Sequence, residues 1–132
     1  MNEDTYQGIP LSRLEINDVD WTVQGEHIRT RTQRYPDRRE FDIEPEWATE
    51  AALDPGRLIA TTGGLSIEII GRSVQAPSRS DESGGRILKI WVIPADLQAG
   101  SWIGTSACEA NGKERQKYGD ITRGEDQWQP QT

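Results

Sequence analysis

The run Arg86 to Ile93, RILKIWVI, constrains the fold more than any other stretch of this chain. Ile87, Leu88, Ile90, Trp91, Val92 and Ile93 leave almost no polar position. A strand with no face to give to water predicts an interior position, covered on both sides of a sheet. Lys89 interrupts it. On such a strand Lys89 shares a face with Ile87 and Trp91, so it is either a functional cation or a side chain that runs along Trp91 to reach solvent.

Shorter apolar runs flank this one. Arg57 to Ala60 ends at Thr61-Thr62-Gly63-Gly64, Leu65 to Ile70 ends at Gly71, and Trp102 to Ser106 makes a short last strand. Residues 74–85, rich in Ser and Gly, predict a polar hairpin loop. Pro45 in a first turn, Glu44 and Glu46 near the positive end of the dipole, and the stripe Trp47, Ala48, Ala51, Ala52 predict a helix over 44–54, stopped by Asp54-Pro55-Gly56. A charged helix is expected over 107–118. Residues 21–35 read two ways. Val23 and several threonines favour a strand, whereas His27, Arg31 and Arg34 fall on one helical face.

The order predicts an α+β protein: a small antiparallel sheet of three to four strands, two helices before it and one after it. One domain over 21–118 suits a chain of 132 residues. Residues 1–20 read as an acidic arm, and 119–132 as a flexible tail. Five Trp against a single Phe point to a core leaning on Trp47, Trp91 and Trp102.

A lone Cys, Cys108, and a lone His, His27, exclude an intrachain disulfide framework and a cysteine zinc site. No metal or other cofactor is expected. No apolar run is long enough to span a bilayer, and the acidic start is no signal peptide, so the cytoplasm is the expected compartment. Net charge is −7, the wrong sign for a protein built to neutralise phosphates. Residues 1–26 hold six acids and one base, residues 27–39 five arginines and one acid, and residues 40–56 six acids and no base. These blocks are either solvated faces that pair with one another, or a basic site masked by an acidic arm folded over it.

The segment Ser106 to Tyr118, SACEANGKERQKY, resembles the C-terminal signature of the BrnT-like toxins, a RelE-like group in bacterial toxin–antitoxin systems. Ser106, Ala107, Ala110, Glu114, Arg115 and Tyr118 fit that pattern, with Cys108 where the family usually has Arg. His27 to Arg31 resembles the family's first helix, Ala52-Leu53-Asp54-Pro55 the end of its second, and Ile67 to Ser73 its second strand. The resemblance spans about residues 26–118 and favours the helical reading of 26–34. It implies a RelE/BrnT-like fold, metal-independent endoribonuclease activity, RNA as substrate and an antitoxin protein as partner. The oligomeric state stays open, a dimer included.

Cleaving RNA without a metal requires a base for the 2′-hydroxyl, an acid for the leaving oxygen, and cations for the charge that develops on phosphorus. The catalytic candidates are His27, Arg72, Arg86, Arg115 and Tyr118. Arg31, Lys89, Lys113 and Lys117 are candidate phosphate contacts. Each has a plain structural alternative. His27 can be a helix-start residue bonded to backbone, Arg72 a surface partner of Glu68 or Asp81, and Tyr118 a packing residue. Lys113, Arg115 and Lys117 can be one solvated helix face, and Cys108 a small buried residue. Two functions follow: a toxin-like ribonuclease, or a non-enzymatic protein-binding module on the same fold. If Arg72, Arg86, Lys89 and Arg115 converge in one concave patch the first is favoured; if they scatter into ion pairs, the second.

Overall fold

The strand over Arg86–Asp96 lies at the centre of a five-stranded sheet in the computed structural model, which describes residues 4–34, 41–80 and 82–127. In chain order the elements are β1 (Thr5–Tyr6), β2 (Ile9–Pro10), a 3₁₀ turn (Leu11–Arg13), β3 (Asp18–Asp20), α1 (Gly25–Arg29), α2 (Arg31–Arg34), α3 (Pro45–Ala52), β4 (Leu58–Thr61), β5 (Ile67–Ser73), β6 (Arg86–Asp96), β7 (Ser101–Glu109) and α4 (Gly112–Gln127). The main sheet runs β3-β7-β6-β5-β4, and β1 and β2 form a separate hairpin. The α+β class is as expected. The sheet is larger than the predicted three or four strands and is mixed, because β3 lies parallel to β7 while every other pairing is antiparallel.

That fifth strand comes from the segment expected to be an arm. Its residues are folded in: Tyr6, Leu14, Ile16 and Val19 are buried, and the Trp102 indole N–H donates to the Glu15 carbonyl at 2.9 Å. The acids Glu15, Asp18 and Asp20 take the exposed positions between them, which is why the stretch reads as acidic and loose. Paired and packed in this way, the described part of the segment is no loose arm, whatever lies over the basic block of residues 27–39. The described part of that block finds partners nearby, Arg29 pairing with Glu26 and Glu44; residues 35–39 lie outside the described residues.

Alternation along β6 assigns the two faces of the sheet. Leu88, Ile90 and Val92 are fully buried on one face, with Ile67 and Ile69 of β5 and Trp102 and Ala107 of β7. The helices α1 and α3 cover this face through Ile28, Ala48, Ala51 and Ala52. Trp47 was expected to seat α3, but it is only half-buried and stacks on Phe41 at 5.9 Å. The alanines seat the helix because it comes so close to the sheet that a Cβ at Gly71 would run into the Ala51 carbonyl. Trp102 is a core residue as predicted, Trp91 is half-buried, and Trp21 joins the core by lying flat against Gly104.

The opposite face carries Ile87, Ala110 and Tyr118, with Leu58 and Ile70 packed against them. Here α4 crosses the sheet. It was expected over 107–118 with a loose tail after it. Instead β7 continues to Glu109 because Cys108 and Glu109 pair with Lys89 and Leu88, and the helix runs from Gly112 to Gln127. Its start is fixed by reciprocal capping: Glu114 N–H donates to Asn111 Oδ1 and Asn111 N–H to Glu114 Oε1, both at 2.8 Å. Of the expected tail, residues 128–132 lie outside the described residues.

Candidate functional site

The α4 side of the sheet gathers Arg72, Lys89, Arg115 and Tyr118. Lys89 points from the middle of β6 toward α4; it is opposite Ile70 of β5 and diagonal to Glu68, two residues along that strand. Its ammonium lies 2.5 Å from Glu114 and 3.0 Å from Glu68, and 5.1 Å from the centre of the Trp91 ring. Burial works against its charge, but the hydrogen bonds to Glu114 and Glu68 outweigh it and hold Lys89 above the usual lysine range. Lys89 is thus neutralised in place. Arg86 turns to the opposite, α3 side and is also taken: it pairs with Glu109 at 3.4 Å, donates to the Pro77 carbonyl at 2.7 Å and lies 4.0 Å over the Phe41 ring. Glu109 also holds Arg79, at 2.8 Å.

Arg72 and Arg115 differ. Neither forms an ion pair among the described residues. Arg72 donates to the Gly84 carbonyl at 3.0 Å and its guanidinium lies 5.7 Å from the centre of the Tyr118 ring. Arg115 donates to the Ala110 carbonyl at 2.7 Å. Both line one open cleft of about 470 Å³, with Glu82, Ser83, Ile87 and Gln116. A guanidinium carries five N–H donors in a planar fork, so each arginine keeps most of its donors for an incoming anion.

Tyr118 sits beside this cleft with its hydroxyl committed. It donates to Asp54 Oδ2 at 2.5 Å, the oxygen that also accepts the Arg72 backbone N–H at 2.8 Å, while Asp54 Oδ1 accepts the Gly56 N–H at 2.8 Å. Burial and the Asp54 carboxylate push the phenol up to about 12. At neutral pH it is a donor and no base. Because the folded value lies above the unfolded value of 10.0, this group's contribution to stability is full below pH 10 and is lost as pH rises toward 12. Absorbance titration should find a tyrosine near 12 that is missing in Tyr118→Phe, and Asp54→Asn should return it toward 10; Tyr118 at its ordinary value in the native protein would contradict the contact.

The other candidates lie elsewhere. His27 is exposed on α1, and Ile28 beside it packs into the α3-side core, so His27 and Arg31 stand on the opposite side of the sheet from Arg72 and Arg115. Arg31 directs its guanidinium toward the Ala107 carbonyl at 3.5 Å. Lys113 and Lys117 are exposed on α4. The predicted set therefore divides. Arg72, Arg115 and Tyr118 come together on the α4 side, where Lys89 is held by carboxylates; Arg86 is held by Glu109 on the α3 side, the side on which His27 and Arg31 also stand.

Sequence reasoning did not single out Asp54, Glu109 or Glu114 as organising groups. Asn111-x-x-Glu114 is a legible capping signal, and Asp54 before Pro55 a legible helix stop, but what their carboxylates reach depends on long-range pairing. No group of three or more His, Cys, Asp or Glu side chains suited to a metal ion occurs among the described residues, and no helix among them is long and apolar enough to cross a membrane. Comparison with protein families, with curated proteins and with solved structures finds no match.

Proposed function

We propose that this protein is a non-enzymatic binding module whose Arg72–Arg115 cleft receives an acidic group from a protein partner in the cytoplasm. The observation that carries this reading is the division of the cations. Arg86 and Lys89 are matched by carboxylates, whereas Arg72 and Arg115 line one cleft and form no ion pair among the described residues. The cleft supplies positive charge without a tuned base. Tyr118 keeps its proton, and the carboxylate in the cleft, Glu82, is an exposed loop residue. A net charge of −7 favours one acidic group over a polyanion.

The second reading is a toxin-like, metal-independent endoribonuclease of RelE/BrnT-like fold, held by an antitoxin. It is supported by the Ser106–Tyr118 resemblance and by Arg72, Arg115 and Tyr118 meeting at one place. Two measurements separate the readings. On the binding reading, purified protein leaves single-stranded RNA intact, and a capped triglutamate peptide shifts the Nε–Hε NMR signals of Arg72 and Arg115. RNA cleavage that falls ~100-fold in Arg115→Ala, the loss expected when a contact to transition-state charge is removed, would overturn it.

A further inference from the structure

A second groove lies at the edge of the sheet, away from the arginine cleft. Among the described residues strand β4 is outermost and pairs only with β5. In an antiparallel edge strand, alternate residues turn N–H and C=O away from the sheet, where another chain can pair with them. A groove of about 450 Å³ opens at the first half of this strand, against Leu58 and Ile59. Leu11, Leu14 and Ile59 line it from the α3 side, and Leu58 and Lys117 from the α4 side. Ile59 and Leu58 face opposite sides, being opposite Ile69 and Ile70 respectively, so a groove that touches both wraps the strand's open edge.

Its charged lining residues are Arg57 and Lys117, both cationic. Neither forms an ion pair among the described residues. Arg57 donates to the Asp54 carbonyl at 3.3 Å, while its Nε is buried with no hydrogen-bond partner. On a chain of net charge −7, two cations beside an apolar groove call for an acidic occupant. A second copy would bring the same negative charge toward the same surface and is repelled.

We infer that the β4 edge is a strand-addition site. An extended segment of a partner protein, apolar at alternate positions and acidic between them, pairs its backbone with Leu58–Thr61 and sets carboxylates against Arg57 and Lys117. Four residues of strand span about 13 Å, so a hexapeptide covers the site.

The test uses a capped hexapeptide alternating valine and glutamate, the same peptide with lysine for glutamate, and the acidic peptide N-methylated at alternate residues so that no N–H faces β4. Amide NMR shifts and slowed hydrogen exchange are read across the protein. The acidic peptide is expected to move residues 57–61 and to bind about tenfold more tightly than the lysine peptide, the size of two exposed charge contacts. Lys117→Glu, an exposed change that spares the fold, should erase that preference, and N-methylation should abolish binding. The result should persist in Arg72→Gln/Arg115→Gln, which separates this site from the cleft. Absence of binding, shifts confined to the arginine cleft, equal binding of the N-methylated peptide, a preference untouched by Lys117→Glu, or self-association through 57–61 in sedimentation would each overturn the inference.

Discussion

Replacing Asp54 with alanine is expected to cost about 3 kcal/mol of stability, because one carboxylate ties three elements together. Asp54 follows the last turn of α3. Its Oδ1 accepts the Gly56 N–H of the turn into β4, and its Oδ2 accepts both the Arg72 N–H of β5 and the Tyr118 hydroxyl of α4. The Gly56 N–H can find water after the substitution. The Tyr118 hydroxyl belongs to a side chain only 5 % exposed, and the Arg72 N–H lies within a strand, so both are left short of a partner. An unsatisfied buried polar group costs about 1–3 kcal/mol, more where the lost bond was to a charge. Tyr118→Phe removes only the donor and should cost about 1 kcal/mol. The double variant should lose less than the sum, since Asp54→Ala has already broken the bond that Tyr118→Phe deletes. Urea denaturation of the four proteins measures this; a loss below about 1 kcal/mol for Asp54→Ala would show that α4 is held by packing alone.

Gly71→Ala should be as damaging, through sterics rather than polarity. A Cβ at this position meets the Ala51 carbonyl oxygen and carbon before any flexible side chain can yield. The helix must back away from β5, loosening contacts of Ala48, Ala51 and Ala52, all with no exposed surface. Overpacking of this kind costs about 1–3 kcal/mol and more when backbone must move; about 3 kcal/mol is expected here, a fall in Tm of roughly 10 °C for a domain of this size. Gly64→Ala is the control. Its nearest neighbour would be the Thr62 hydroxyl at 3.9 Å, and the change should be nearly neutral. Equal melting temperatures for the two variants would refute the close approach of α3 and β5.

The parts of this fold legible in the sequence are those set by local pattern. The near-continuous apolar run of β6, broken only by Lys89, pointed to an interior strand, and Pro45 with the alanine stripe marked α3 within two residues. The parallel strand β3 was hidden because only Val19 of its three residues is buried, and its two aspartates read as solvent-facing charge. The end of β7 was misplaced because Ser106 to Glu109 is polar enough to open a helix; pairing with β6 decides otherwise, a term absent from any local window. The cations show the same division. Arg72, Arg115 and Tyr118 were nominated from motif and strand-end position and do meet. Lys89, singled out for interrupting an apolar strand, and Arg86 were candidates too, yet their carboxylate partners stand 21, 25 and 23 positions away in the chain (Glu68, Glu114 and Glu109). Only register brings those carboxylates within reach. Charge is visible residue by residue; neutralisation is a property of the assembled sheet.

The pairing of β3 with β7 also sets an order of events during translation. Asp18–Asp20 can settle only against Ser101, Trp102 and Ile103, which leave the ribosome much later. At about 5–20 residues per second, some 80 residues of synthesis take on the order of 4–16 s. Through that interval Tyr6, Leu14, Ile16 and Val19 have no Trp102 to pack with. The acids spaced between them, Glu15, Asp18 and Asp20, then have a second use. They keep a waiting segment soluble and self-repelling until its place in the sheet exists.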